Sequence, residues 1–214
     1  MTTEQSTTPP PEDLTEELVS FDRARARIGE WWAVVLGAAL MGLGFTTIQI
    51  MEKITILKNP DANLVCNLSA RVSCTDVLNA WQSSVLGPPN ALIGAIMFAI
   101  FTSAALGGFL DSRYAGSYLV TLWGLAVFFL SFATWFMYET AFSIGSLCPW
   151  CVGITTAVVG ICVALTRIAH HAGAFGETGL GRLVGRAVTS RLDLAFWAGW
   201  WLLIAAFLFV GIAL

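Results

Sequence analysis

Five runs of apolar residues, each about 20 residues long, decide what this chain can become. They cover residues 31–51, 90–110, 118–138, 148–168 and 195–214, and none carries Asp, Glu, Lys or Arg in its middle, Arg167 falling at an end. A run of that length crosses the hydrocarbon of a bilayer as a helix, the open-chain structure that satisfies its own backbone there. The expected fold is an all-α membrane protein with five transmembrane helices. Composition agrees: 57% of residues are hydrophobic and 12% charged, about half the charge of a soluble domain. Nine Trp and fourteen Phe fit lipid-facing helices with interfacial belts. Basic residues are few and lie beside the spans, which argues against a nucleic-acid partner.

Residues 1–30 read as a leader. Up to about Leu18 it is polar and acidic with Pro9-Pro10-Pro11, so it is expected to be disordered. It lacks the basic start and apolar run of a signal peptide. Residues 14–28 either form a short amphipathic helix on the membrane, with Leu14, Leu18, Phe21 and Arg23, Arg25, Arg27 near the headgroups, or remain solvated. Gly37, Gly42, Gly44, Gly94 and Gly107 in the first two spans allow close helix packing. With the N-terminus in the cytoplasm, the inner segments hold Arg23, Arg25, Arg27, Arg113, Arg167, Arg182, Arg186 and Arg191, and the outer ones only Lys53, Lys58 and Arg71. Eight against three favours that orientation. It leaves 169–194 as a cytoplasmic loop and puts four of the five cysteines at the outer, oxidising face.

Cys148-Pro149-Trp150-Cys151 opens the fourth span. Two cysteines at that spacing sit one turn apart and can close a reducible disulfide. The free N–H groups of a helix start favour the reactive thiolate, and Pro149 fits a first turn, where its missing N–H costs nothing. A plain structural disulfide or half of a metal site is the bland reading. In the outer loop, residues 52–89, Cys66 and Cys74 are far enough apart in sequence for either a disulfide or two separate thiols. Val77, Leu78, Trp81 and Val85 then recur at helical spacing, which predicts a short amphipathic half-helix over 74–86, apolar face down as a lid. Asn90, at the start of the second span, needs a partner: a backbone carbonyl or the carbonyl of a bound ligand. Cys162 lies roughly 16 Å along the helix from Cys151 and reads as a packing residue.

Two outward-facing cysteine pairs suggest a relay by thiol–disulfide exchange, from a partner's dithiol to the loop pair and on to the pair at the helix mouth. An acceptor inside the bilayer points to a lipid-soluble quinone. No haem, flavin, nucleotide or metal motif is visible; His170 and His171 sit beyond the fourth span as interfacial residues. A reductase running outward would need cysteines reachable from the cytoplasm, and the inner loops have none. The remaining rival is a non-enzymatic scaffold with structural disulfides or zinc.

The order of these features resembles the vitamin K epoxide reductase family: Cys66 and Cys74 in the first outer loop, a half-helix, Pro89-Asn90 opening the second span, and Cys148-Pro149-Trp150-Cys151 opening the fourth. The likeness covers about residues 31–168, as four helices around a quinone pocket, with the fifth helix, 195–214, peripheral. Five spans without an attached thioredoxin domain are similar to the bacterial, actinobacterial homologues. The resemblance implies a membrane disulfide:quinone oxidoreductase working with a separate extracytoplasmic thioredoxin-fold oxidase. Menaquinone would be the electron acceptor and disulfide formation in exported proteins the outcome. By the family pattern Cys66 is the exposed thiol that meets the partner, Cys74 shuttles to Cys148, and Cys151 lies nearest the quinone. Asn90 matches the Asn on a quinone carbonyl. Thr155 stands where animal enzymes carry a Tyr on the second carbonyl, and Ala80 where a Ser or Thr often supports the half-helix. Trp81, on the lid, completes the expected quinone-contacting set.

Overall fold

A computed structural model describes residues 12–213, with side chains from 28 to 210. Seven α-helices account for most of it: α1 (Glu12–Lys58), α2 (Cys74–Asn79), α3 (Asn90–Phe109), α4 (Gly116–Glu139), α5 (Pro149–His171), α6 (Gly179–Thr189) and α7 (Leu192–Ala213). Five of them, α1, α3, α4, α5 and α7, are long and apolar enough to cross a membrane. The first span does not begin a new helix. The backbone is already helical at Glu12, where a disordered leader was expected, and runs unbroken into the span; residues 1–11 and the side chains of residues 12–27, on which the expected amphipathic face rests, lie outside the described residues. At its other end α1 continues to Lys58, well past the apolar run. Within the segment expected as a plain loop, α6 forms, capped by the Thr178 hydroxyl, with Val184 and Val188 buried.

Helix α5 is the centre of the bundle. Of its most apolar stretch 61% is buried, against 17% in α7. Packing runs from α3 onto α1, from α1 onto α5 and from α5 onto α4, whereas the backbones of α3 and α4 do not approach closely. Close approach of α1 to its neighbours depends on two glycines: a methyl at Gly42 would overlap the Phe98 ring of α3, and one at Gly153 of α5 would overlap Phe45. Gly37 and Gly44, by contrast, face open space. Helix α7 lies outside the four but is fastened to them. Trp200 Nε1 donates to Thr134 Oγ1 at 2.9 Å and Trp201 Nε1 to Thr156 Oγ1 at 3.1 Å. Arg167 grips Asp193 through two bonds of 2.6 and 2.9 Å.

Between α1 and α3 the chain folds over the cysteine end of the bundle. The expected single half-helix is two pieces. Helix α2 ends at Ala80, whose extended backbone (φ −64°, ψ 143°) turns the chain before a 3₁₀ turn, Trp81–Ser84. Val77 and Leu78 are buried as expected, but Trp81 is 69% exposed and Val85 40% exposed. At the end of α4, a π-helical turn, Thr140–Ile144, is followed by Gly145 in the left-handed conformation (φ 71°). Gly145 thereby turns the chain toward Cys148, a conformation glycine adopts without steric cost.

Candidate functional site

Polar tethers hold the lid over the mouth of α5. Ser73 caps α2 by accepting from the Asp76 N–H at 3.3 Å. The Ser73 N–H donates to the Leu147 carbonyl, and the Leu147 N–H to that of Arg71. Ser146 donates to Asp76 at 3.0 Å, Gln82 to Glu139 at 3.1 Å and Lys53 to the Leu78 carbonyl at 2.6 Å. The lid is therefore fixed to α1, to the end of α4 and to the strand of chain entering α5.

That arrangement gathers four sulfurs. Cys66 and Cys74 form a disulfide, while Cys148 and Cys151 are free thiols. Cys74 Sγ lies 3.5 Å from Cys148 Sγ, against a residue spacing of 74 in the chain. Cys148 caps α5 with Pro149 in its first turn. Hydrogen bonding with the Cys151 thiol holds the Cys148 thiol below its ordinary pKa, outweighing the burial that pushes it up. Cys66, expected to be exposed, is instead 3% exposed, because Leu64 and the disulfide itself tuck into a small apolar cluster with Ile56, Val77, Met137 and the helix-mouth cysteines. Cys162 is fully buried in the main core.

Two residues that the sequence reading passed over complete the site. Gln49 Nε2 is 2.8 Å from Cys151 Sγ and 3.3 Å from Cys148 Sγ, a donor aimed at both thiols. One turn on, Glu52 places both carboxylate oxygens 3.3 Å from Cys66 Sγ and accepts from Trp150 Nε1 at 3.2 Å. The signal for them was a lone amide in an apolar run followed at i+3 by an acid, a helix-face pairing. Glu52, Cys66 and Cys74 bring three ligand-type atoms within 4.8 Å of one another. Bonded to each other, however, the two sulfurs are not the thiolates a metal takes.

Beneath the lid is a cavity of about 550 Å³, its open side included, lined by Gln49, Asn90, Cys151 and Thr155 among the aromatic rings of Phe98, Phe129, Phe132 and Phe136. Its mostly apolar wall with a few convergent polar groups is that of a small-molecule site. Asn90 Nδ2 donates to the Gln82 carbonyl at 2.6 Å, and Asn90 Oδ1 is buried without a partner. Thr155 lines the cavity too, but its hydroxyl donates to the Cys151 carbonyl at 2.9 Å. Trp81 does not line it and faces outward.

Such a bundle, with a disulfide in contact with a Cys-x-x-Cys pair at a helix mouth, defines a membrane thiol–disulfide oxidoreductase. The sequence profile of the Vitamin K epoxide reductase family matches residues 33–166, and the chain belongs to that family. No curated protein matches the chain.

Proposed function

We propose that this protein oxidises the dithiol of a separate, extracytoplasmic thioredoxin-fold partner and delivers the two electrons to a membrane quinone, menaquinone being the one we expect. The net result is disulfide formation in exported proteins. The observation that carries this reading is the 3.5 Å separation of Cys74 and Cys148 sulfurs beside a cavity that Cys151 lines. Thiol–disulfide exchange needs one sulfur to attack another in contact, and these two need no large movement to do so.

In this scheme a partner thiolate attacks Cys66, and Cys74 leaves as a thiolate. Cys74 then attacks a Cys148–Cys151 disulfide at Cys148, and Cys151 is freed next to the quinone. Gln49, donating toward both helix-mouth sulfurs, stabilises the negative charge on whichever of them leaves. The cavity residues fit a quinone ring. Asn90 has a second amide hydrogen for a carbonyl oxygen and an unpaired buried acceptor for a quinol hydroxyl. The aromatic wall supplies faces for a flat ring. Thr155 spends its proton on its own helix and Gln49 directs its amide at the two thiols, so Asn90 is the residue that anchors the ring. The cavity is walled by both α3 and α4, whose backbones do not approach closely, and an isoprenoid tail would leave between them into lipid.

Orientation belongs to the same proposal: the basic residues favour a cytoplasmic N-terminus, which puts the lid and both cysteine pairs outside. Since Cys66 is buried, the partner must lift or reshape residues 59–73 before it reaches the sulfur. The test mixes purified protein in nanodiscs with a reduced thioredoxin-fold protein and a soluble quinone, and follows quinone absorbance. Turnover is expected in the wild type and a fall of at least about 10³-fold in Cys151→Ala. Unchanged turnover in that variant would remove Cys151 from the terminal position.

A further inference from the structure

Glu52 has no place in the exchange scheme above, yet it touches the first sulfur in it. Both carboxylate oxygens lie 3.3 Å from Cys66 Sγ. A disulfide sulfur carries no proton, so in the oxidised state the only proton that can lie between the two is one on the acid. Two anchors make the contact a built one. Glu52 sits one turn beyond Gln49 on α1, in the part of the helix that projects past the apolar run. Trp150, between the helix-mouth cysteines, donates its indole N–H to Oε1 at 3.2 Å. The acid therefore bridges the loop disulfide and the Cys-x-x-Cys turn.

The chemistry of exchange supplies the need. Each time Cys66 is released it departs with the electron pair of the broken S–S bond, and it settles back into a site only 3% exposed. A thiolate shielded from water is costly unless a neighbour supplies a proton or a counter-charge. We propose that Glu52 is the acid and base for Cys66, giving a proton to its sulfur when it leaves a mixed disulfide and taking that proton back when Cys66 attacks Cys74. The inference rests on the exchange reading proposed above.

Step by step, the partner's second thiolate attacks the partner sulfur of the mixed disulfide. The partner disulfide forms, the bond to Cys66 breaks, and the Cys66 sulfur takes the electron pair together with the Glu52 proton, leaving a carboxylate. Later the carboxylate removes that proton as Cys66 attacks Cys74 in a Cys74–Cys148 disulfide. The Cys66–Cys74 bond forms, the Cys74–Cys148 bond breaks, and Cys148 leaves as a thiolate. Glu52 ends the cycle protonated, as it began, so the proton is only lent. Its presence on Cys66 between the two steps keeps that sulfur from attacking the partner's new disulfide and running the reaction backwards.

The test uses the full chain in nanodiscs with Cys74→Ser, which leaves Cys66 as a thiol, and measures alkylation of the Cys66 peptide by iodoacetamide across pH, read by mass spectrometry. The ionisable groups about the pair are Cys148 and Cys151 from the mouth of α5 and Lys53 beside Glu52 on α1, whose ammonium is held by the Leu78 carbonyl. All stay constant between variants. With Glu52 present, two coupled ionisations give a two-step profile. Glu52→Gln, which still accepts from Trp150, is expected to give one step at a lower midpoint, because no carboxylate then opposes the thiolate. Glu52→Asp should retain two steps, and guards against a fault in the Gln variant's folding. In the otherwise wild-type chain, Glu52→Gln should let the Cys66–partner mixed disulfide accumulate, with release slowed about 10²-fold. Identical alkylation profiles for Glu and Gln would overturn the proposal, whether or not quinone is reduced. Two steps with no quinone reduction in the wild type would uphold the Cys66–Glu52 pair while refuting the quinone reading.

Discussion

At the end of the bundle away from the cysteines, Arg167 and Asp193 meet through a planar two-bond contact, Arg167 also stacks 4.8 Å over the ring of Trp31, and Trp123 donates to Thr166 at 3.0 Å. At the cysteine end, Asn90 keeps an unpaired buried oxygen, two thiols stand outside any disulfide, and an acid rests against a disulfide sulfur. Both ends bury polar groups, and the difference lies in how completely they are satisfied. Fully paired groups fasten helices. Groups left with a free valence are the ones that can act on something else, because an unmet hydrogen bond in a buried site is costly and calls for a reason such as a ligand.

Breaking the paired end should give the largest effect on stability and the smallest on chemistry. Asp193→Leu leaves Arg167 buried without its partner and should cost about 3–5 kcal/mol, seen as a drop in Tm in detergent. Replacing both, Arg167→Met with Asp193→Leu, should recover most of that loss. Quinone turnover per folded molecule should stay near wild type in both. A turnover loss in the double variant without a Tm loss would show that the two ends are coupled. At the open end the pattern reverses: Asn90→Ala should raise the quinone KM about tenfold, the worth of one buried hydrogen bond, with a smaller change in Tm than Asp193→Leu. An unchanged KM would mean that the unpaired oxygen faces something other than the quinone.

Much of this division was legible from the residues, for reasons that also explain what was not. The spans could be read because crossing a bilayer imposes a length and forbids charge. The Cys-Pro-Trp-Cys turn could be read because its spacing and helix position are local. Gln49, inside the first span, could not be assigned a role because only the fold brings Cys148 and Cys151 to it, and Glu52 could not because hydropathy marks where lipid stops and not where a helix stops. Helix α1 runs on to Lys58, so Glu52 and Lys53, which look like loop charges, are helix residues with fixed directions. The burial of Cys66 is likewise non-local, set by contacts of the loop with Ile56, Val77 and Met137. Helical periodicity failed over 77–85 because Ala80 breaks the helix with an extended residue, which turns Trp81 to the outside.

A smaller effect concerns Cys148, whose thiol pKa is lowered mainly by its hydrogen bond with Cys151. A lower pKa means the thiolate persists to lower pH. Alkylation of Cys148 should therefore reach half its plateau below the roughly 8.5 of an ordinary thiol, once the Cys66–Cys74 lid has been opened by reductant. Cys151→Ala removes the main cause and should move that midpoint upward, toward or beyond the ordinary value, since burial then acts with less opposition. A midpoint that did not move would mean the helix start, and not the neighbouring thiol, sets the reactivity of Cys148.

The smallest effect expected is at Trp81, and it sharpens the contrast by its size. Sequence periodicity put this ring among the quinone contacts, but the side chain is 69% exposed on the outer surface of the 3₁₀ turn. Trp81→Ala should leave the quinone KM within about twofold of wild type, since the removed ring makes no wall of the cavity and its loss opens no void. The backbone there matters more than the side chain: the carbonyl of Gln82, one residue on, accepts from Asn90 and so fixes the amide that faces the cavity. A tenfold rise in KM for Trp81→Ala, equal to that of Asn90→Ala, would mean that the lid folds inward to bring this ring onto the quinone.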